Sequence, residues 1–285
     1  MVQKTAAVVI LFQPEQSVEK NISSYIKFTD KVYVYDNSEI SNDALLQSLS
    51  QHKNKIAFIH DGKNEGIAKR LNQACALASQ EGFDYLLTMD QDSYFDKPAI
   101  VNYFECIDAF KNKSKVSMFG VNHEKQSTDF NCLYKKTNFL ITSGSIINLN
   151  AYRNIGAFDE NLFIDFVDVE YCFRSVLKEY DIISFPNIFM HHKLGESLEK
   201  RSLKSLQKTK RSFHSTSRLY YMTRNFLYLN KKYNDRFAMQ LNVNKKDLLN
   251  RIKNKLLYHP NRFTTIQYLF KAFQDYRNNK MGKQF

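Results

Sequence analysis

Asp84-Tyr85-Leu86-Leu87-Thr88-Met89-Asp90-Gln91-Asp92-Ser93 is an apolar run long enough for one buried strand, and it stops at two carboxylates spaced one residue apart. Alternation along a strand sends Asp90 and Asp92 to the same side, and at the carboxyl edge of an open α/β sheet that side faces ligands. A hard divalent cation takes oxygen ligands and bridges to diphosphate oxygens, so this pair suits a metal–nucleotide complex. In isolation the same triplet is also an ordinary turn that caps the next helix. The rest of the chain has to decide between them.

Upstream, Thr5–Phe12, Lys31–Asp36 and Lys55–His60 are short β-branched or aromatic runs, and Glu15–Phe28, Ile67–Gln80 and Lys97–Phe110 have helical spacing and length. Such alternation predicts an α/β fold, a mostly parallel sheet with helices on both faces and right-handed crossovers. The other strand ends are polar as well. Strand two ends in Asp36-Asn37-Ser38, where an Asp can accept from a base or ribose or close an Asx turn. Strand three runs into Asp61-Gly62-Lys63-Asn64-Glu65-Gly66, which either caps the next helix or offers its free amides to an anion.

Further on, Thr142-Ser143-Gly144-Ser145 precedes a segment from Phe163 with helical spacing, in which Asp165, Asp168 and Glu170 lie among Phe163, Phe166, Val167, Cys172 and Phe173. Acids in a first helical turn meet the positive end of the dipole, which accounts for acids in general. Apolar crowding around Asp168 adds a setting that raises a carboxylate's basicity.

The 285 residues suffice for one large domain or a domain with an appendage. Cys75, Cys106, Cys132 and Cys172 form no Cys-x-x-Cys pair, so neither a zinc site nor a disulfide framework is expected, as suits a reducing cytosol. Ala6–Phe12 is followed by Gln13-Pro14-Glu15 rather than a small-residue cleavage site, and reads as the first strand. No apolar run approaches the roughly 20 residues that cross a bilayer. The net charge of +12 is uneven: residues 200–285 carry 21 Lys and Arg against three Asp, a net +18, which leaves −6 for residues 1–199. Two parts with different partners follow, divided at 199/200.

Taken in order, these motifs resemble the inverting family-2 glycosyltransferases of GT-A fold, within them the bacterial rhamnosyltransferase-like branch, over roughly residues 5–230. The resemblance implies that Asp36 contacts the nucleotide base, that Asn64, Gly66, Ala68 and Asn72 line the nucleotide pocket, and that Asp90 and Asp92 form the Asp-x-Asp motif, with Asp92 on the metal. Met89-Asp90-Gln91-Asp92-Ser93 is the form that points to the rhamnosyl branch. The family's base is the Asp of a Glu-Asp pair ahead of Cys-x-Arg. Asp168 takes that position before Cys172 and Arg174, with Val167 where the family has Glu. A second metal ligand would be His192, with Leu194 and Gly195, rather than His191. Arg224, in Tyr220-Tyr221-Met222-Thr223-Arg224-Asn225, would approach the diphosphate, and Gly144, Asp165 and Glu170 would face the donor or acceptor sugar. The implied cofactor is Mg²⁺ or Mn²⁺. The implied reaction is hexosyl transfer, of L-rhamnose from its dTDP form or of a UDP-hexose such as glucose, galactose or galactofuranose. Its acceptor would be a lipid-linked glycan of a bacterial surface polysaccharide, O-antigen or capsule, at the cytoplasmic face of the membrane.

The basic part begins with Lys200, Arg201, Lys204, Lys208, Lys210 and Arg211, a run that ordinarily marks a solvated helix face. Asp247–Leu257 and Arg262–Arg277 follow as amphipathic helices, the second with Phe263, Ile266, Leu269, Phe270 and Phe273 in one stripe beside Arg262, Lys271 and Arg277. An anionic membrane surface suits that pattern; helix packing and a homodimer are the plainer occupants. A nucleic-acid binder is the competing class on charge, but no helix-turn-helix, RNA-recognition or zinc signature accompanies it. A nucleotidyltransferase would carry a Gly- and basic-rich loop after the first strand, where Phe12-Gln13-Pro14-Glu15 stands instead.

Overall fold

Thr5–Leu11 (β1) carries six buried residues out of seven, as an apolar β-branched run must when both sheet faces are covered. The computed structural model of the chain describes residues 4–124, 131–192, 197–201, 208–212 and 214–285. After β1 come α1 (Val18–Ser23), β2 (Lys31–Asp36), α2 (Asp43–Ser48), β3 (Ile56–His60), α3 (Gly66–Gln80), β4 (Tyr85–Asp90) and β5 (Ser93–Tyr94). Then follow α4 (Lys97–Ala109), β6 (Val116–Asn122), β7 (Lys135–Lys136), β8 (Ser145–Asn148), α5 (Leu149–Ile155), α6 (Val167–Leu177), β9 (Asp181–Phe189) and β10 (His191–His192). The chain closes with β11 (Ser197–Arg201), β12 (Lys208–Ser212), α7 (Thr216–Tyr258) and α8 (Arg262–Arg277).

The chain divides into two compact units: Met1–Asp159 with Asp168–Lys193, and Glu160–Val167 with Leu194–Phe285. The first is an α/β unit around an eight-stranded sheet of order β3-β2-β1-β4-β8-β6-β9-β7. β1 pairs in parallel with β2 and β4, β2 with β3, and β6 with β9. β8 runs antiparallel between β4 and β6, and β7 antiparallel at the edge. One apolar cluster spans the sheet and its helices, with Val9, Leu11, Ile22, Val34, Leu87, Ile100, Tyr103, Phe119 and Phe185 within it; each such side chain, fully buried, contributes about 1.5–3 kcal/mol.

Because β8 is reversed, its amino end lies on the same sheet edge as the carboxyl ends of β1, β2, β3, β4, β6 and β9. Asp36, Asp90, Ser143, His123 and His192 are therefore delivered to one edge by five separate segments, which is how an open α/β sheet assembles a ligand site.

The second unit holds the long C-terminal helices and the β11–β12 hairpin. Its α7 is 43 residues long and leaves helical geometry at Phe237, and α8 joins it through Tyr220, Tyr221, Tyr268 and Ala272, with Phe163 and Ile164 packed alongside. Among the described residues no helix is long and apolar enough to cross a membrane.

Four sequence expectations need correction. Cys106 on α4 and Cys132 are joined by a disulfide, because spacing along the chain does not report which segments a fold brings together; Cys75 and Cys172 are buried free thiols. The helix expected from Phe163 begins at Val167, since Asp165 and Phe166 take left-handed backbone (φ 62° and 67°). The expected helix over Glu15–Phe28 shrinks to α1 and a single 3₁₀ turn at Ile26–Phe28. The basic run from Lys200 is not helical: Ser197–Arg201 and Lys208–Ser212 pair as an antiparallel hairpin, and Lys204 lies outside the described residues.

Candidate active site

Asp90 closes β4, and its amide donates to the Ser143 hydroxyl at 3.1 Å. Two residues on, the short β5 pairs with β10 so that Ser93 stands opposite His192 and Tyr94 opposite His191. This bridge turns His192 towards the carboxylates. Asp90, Asp92 and His192 each present a ligand atom, all within 4.8 Å of one another. Two carboxylates and an imidazole suit a hard or borderline divalent cation such as Mg²⁺ or Mn²⁺. His191 goes elsewhere: its Nε2 lies 2.9 Å from Asp96, and its ring stacks on Tyr94 at 4.4 Å. Leu194 and Gly195 lie outside the described residues.

The ends of β2 and β3 form a second polar cluster. Asp36 is fully buried; one carboxylate oxygen accepts from the Ser38 amide at 2.9 Å, and the other has no hydrogen-bond partner among the described residues. A buried polar atom left so costs about 1–3 kcal/mol or more, and is a place where a ligand donor belongs. Asn37 accepts from Arg70 Nε at 2.7 Å, and Arg70, itself buried, grips both Asp61 oxygens at 2.6 and 3.1 Å. That guanidinium holds the Asp61 carboxyl below the usual carboxylate range. Arg70 thus ties the loops after β2 and β3 to α3, a bracing role that sequence reasoning missed because an Arg inside a helical pattern reads as solvated.

Several residues expected at the site have other occupations. Asn64 accepts from the Gly66 amide at 3.1 Å, and Gly66, at φ 79°, starts α3. Ala68 is buried in that helix. Asn72 is engaged with the chain at Phe158 in both directions, at 3.0 and 2.8 Å, and with Tyr152 Oη at 2.9 Å. It fastens α3 to the segment after α5. Glu170 is fully buried and paired with Arg174 at 2.8 Å, whose guanidinium also donates to the Ile155 and Ala157 carbonyls. Gly144 (φ 74°) sits where a Cβ would fall 2.7 Å from Met190 Sδ and 3.0 Å from Val121, so its lack of a side chain permits close packing.

Asp168, half-buried, stands in the first turn of α6, where one carboxylate oxygen accepts from the Val169 amide at 2.8 Å. It is not a member of the Asp90–Asp92–His192 group. His123, just past β6, was not singled out by sequence. Its ring centroid is 6.0 Å from that of His192, its Nδ1 is buried without a hydrogen-bond partner among the described residues, and burial together with the His192 charge brings its pKa down to about 4.

Within the second unit, Asp165 forms a two-pronged pair with Arg218, at 3.0–3.2 Å. Asn225 Nδ2 donates to the carbonyls of Ile164 and Asp165, which holds the two left-handed residues in place. Arg224 is fully buried, bonded to Asn225, Tyr220 and the Lys280 carbonyl, and lies over the rings of Tyr220 and Tyr221. These contacts occupy the guanidinium that sequence reasoning assigned to a diphosphate.

A mostly parallel sheet whose carboxyl edge gathers Asp36 and an Asp-x-Asp pair with a histidine beside it defines a nucleotide-sugar transferase of GT-A type. The family model "Glycosyl transferase family 2" matches residues 7–156, and the chain belongs to that family; it is a glycosyltransferase. It is 27% identical over 249 residues to the dTDP-rhamnosyl transferase RfbF of Shigella flexneri, covering 80% of each chain. Among solved structures it resembles S. aureus TarS 1-349 in complex with UDP-GlcNAc (TM-score 0.57, 17% identity, 95% of this chain and 81% of that one). It also resembles GalNAc-T7 with UDP, GalNAc and Mn²⁺ (TM-score 0.53, 12% identity, 67% and 44%). The chain spans about half the length of GalNAc-T7 and of the longer TarS structure. At these identities the structural likeness establishes the fold.

Proposed function

We propose that the chain is a metal-dependent, inverting glycosyltransferase that moves L-rhamnose from a dTDP donor to a lipid-linked glycan at an anionic membrane face. The single observation that carries the reading is the convergence of Asp90, Asp92 and His192 on one point of the sheet edge, on the edge that also holds the unpartnered oxygen of Asp36. Asp36 receives an N–H of the pyrimidine base. Asp90, Asp92 and His192 would hold Mg²⁺ or Mn²⁺, which would supply positive charge against the departing diphosphate. Asp168 accepts the proton of the acceptor hydroxyl as that oxygen attacks the anomeric carbon from the opposite face. One base and no enzyme nucleophile give inversion. The rhamnosyl donor rests on Met89-Asp90-Gln91-Asp92-Ser93 and on the similarity to RfbF; a UDP-hexose donor is the second reading, favoured by the fold shared with UDP-binding relatives.

For the membrane side, the supporting feature is the face that α8 turns to solvent. Phe263 is 84% exposed, Ile266 53%, Phe270 62% and Phe273 44%, with the Arg277 guanidinium 5.8 Å from the Phe273 ring. Aromatic residues beside cations at an anionic bilayer gain both apolar burial and attraction, about 1 kcal/mol per cation near the surface.

The test is release of nucleoside diphosphate from dTDP-rhamnose and from UDP-hexoses, with a polyprenyl-diphosphate glycan as acceptor, in Mg²⁺, Mn²⁺ or EDTA. Metal-dependent turnover of dTDP-rhamnose alone is expected. Turnover of UDP-hexoses alone would keep the transferase and change the sugar, and full turnover in EDTA would remove the metal from the reaction.

A further inference from the structure

Between α7 and the end of α8 the second unit holds a cleft of about 300 Å³ that the reaction above does not use. Tyr228, Lys231 and Lys232 of α7, Tyr276 in the last turn of α8, and Asn279 and Met281 beyond it form the lining. The walls are fixed by bonds that spend other polar groups. Tyr220 Oη donates to Asp275 at 2.7 Å, Lys271 pairs with the same carboxylate at 2.8 Å, and Arg224 donates to the Lys280 carbonyl at 3.3 Å. Past α8 the chain turns through left-handed Asn279 (φ 54°), whose amide donates to the Tyr276 carbonyl at 3.1 Å, and the Lys280 amide donates to the Asp275 carbonyl at 2.8 Å.

Among the described residues no carboxylate lines this cleft. Lys231 Nζ, Tyr276 Oη and the Asn279 carboxamide make no hydrogen bond or ion pair with any described residue. Lys232 Nζ lies 5.4 Å from the centre of the Tyr228 ring and 5.2 Å from that of Tyr233, so the second ammonium is held beside aromatic faces. Two ammonium groups, a phenol and a carboxamide offer N–H and O–H to one space. Their complement is a group with several acceptor oxygens and more than one negative charge. A phosphomonoester or a diphosphate meets both conditions, whereas a phosphodiester carries charge for only one of the lysines. The tyrosine rings, Met281 and the lysine stems add apolar wall. From Tyr276 the exposed side chains of Phe273, Phe270, Ile266 and Phe263 run back along α8 for about 20 Å, at 1.5 Å per residue. A ligand charged at one end and hydrocarbon at the other fits this continuation.

We propose that this cleft binds the phosphomonoester or diphosphate end of a lipid carrier, with the phosphate on Lys231, Lys232, Tyr276 and Asn279 and the hydrocarbon along the apolar stripe of α8. The inference rests on the lipid-linked acceptor given under Proposed function, and it gives the charged end of that acceptor a place on the second unit. It draws on none of Asp90, Asp92 and His192 and needs no cation.

The experiment titrates the full chain and its variants calorimetrically, in EDTA, with farnesyl diphosphate below its micelle concentration and with inorganic pyrophosphate, beside sedimentation with phosphatidylglycerol vesicles. The parent is expected to bind one farnesyl diphosphate per chain, and pyrophosphate more weakly. Lys231→Ala should weaken farnesyl diphosphate binding about 10-fold or more, as loss of a charge-assisted hydrogen bond does, and Tyr276→Phe about 2- to 10-fold. Phe270→Ser with Phe273→Ser should weaken farnesyl diphosphate and leave pyrophosphate unchanged. No binding by the parent, or equal binding by Lys231→Ala, overturns the proposal. So does pyrophosphate bound as tightly as farnesyl diphosphate, which would make the cleft an anion site without a lipid. If Lys231→Ala loses the vesicles and keeps farnesyl diphosphate, the cleft serves bilayer headgroups and the proposal falls. The two readings fail separately. Turnover on the polyprenyl-diphosphate glycan without farnesyl diphosphate binding removes the cleft and keeps the acceptor; farnesyl diphosphate held through Lys231 without turnover on that glycan keeps the cleft and removes the acceptor. Lys231 is exposed on α7, so its variant should fold, which circular dichroism and thermal unfolding check; should either Lys231→Ala or Tyr276→Phe fail to fold, the other decides by the same criteria.

Discussion

In the first unit Asp36 is wholly buried and yet keeps one carboxylate oxygen without a hydrogen-bond partner among the described residues. In the second unit Arg224 is equally buried, and its guanidinium is bonded to Asn225, Tyr220 and the Lys280 carbonyl and stacked over two tyrosine rings. The difference separates two uses of a buried polar group. A group whose bonds are completed by its own chain holds the fold. A group left open, in a place the fold could easily have closed, waits for something the chain does not supply. By that criterion Asn72 and Glu170, which were expected at the site, go with Arg224.

The contrast breaks if open and closed groups fail in the same way. The largest expected effect is at Asp168. Replacing it by Asn should lower transfer about 10²–10⁴-fold, the usual contribution of a general base, and leave donor binding and thermal stability in place; calorimetric titration with donor beside a turnover assay checks both. Loss of donor binding instead would make Asp168 a donor ligand. Next comes Glu170→Ala, which strands the Arg174 guanidinium. A broken buried pair costs about 3–5 kcal/mol, so urea unfolding should show a large loss of stability, and wild-type stability would return Glu170 to the list of sugar contacts.

Smaller, and confined to the second unit, is the effect of Phe263→Ser with Phe270→Ser. These exposed rings are not needed for packing, so the double variant should fold normally and bind anionic phosphatidylglycerol vesicles several-fold more weakly in a sedimentation assay. Unchanged binding would count against the membrane reading. The smallest effect concerns pH. Burial first, then the charges of Arg218 and Arg251, bring the pKa of His214 down to about 4. As pH falls from about 6.5 towards 4, the unfolded chain takes up a proton that the folded chain refuses, so this contribution to stability is full above pH 6.5 and lost on acidification. His214→Asn should flatten that part of the stability–pH curve, followed by urea unfolding between pH 7 and 4.5; an unchanged slope would contradict the assignment.

How much of this was legible in the chain depended on whether the signal was local. The alternation of β1 through α4 follows from apolar runs and helical spacing, and the Asp-x-Asp pair from a strand that ends in carboxylates. The reversed β8 was not legible, since four residues of Ser145–Asn148 carry no mark of direction. Nor was the hairpin of β11 and β12, because a run rich in lysine and arginine is compatible with a helix face or a strand pair. The left-handed turn at Asp165 and Phe166 escaped because neither residue announces positive φ; it is held by Asn225, sixty residues away along the chain. The disulfide between Cys106 and Cys132 escaped for the same reason of distance. At the site, the sequence shows which residues carry ligating atoms and not which of those atoms are already spent. Asn72 looked like a nucleotide contact until Phe158 and Tyr152 were seen on it, and Ser93 looked like the end of a motif until His192 was seen across from it.

Thermal unfolding with dTDP, in Mn²⁺ and in EDTA, for the parent chain and Asp92→Asn, tests the metal–nucleotide edge most directly. A ligand at 100 times its dissociation constant adds about 2.7 kcal/mol of stability, a shift large enough to see. The shift should appear for the parent in Mn²⁺, vanish in EDTA and be absent from Asp92→Asn. An equal shift in EDTA, or none with either dTDP or UDP, would contradict the claim that this edge holds a metal-bound nucleotide.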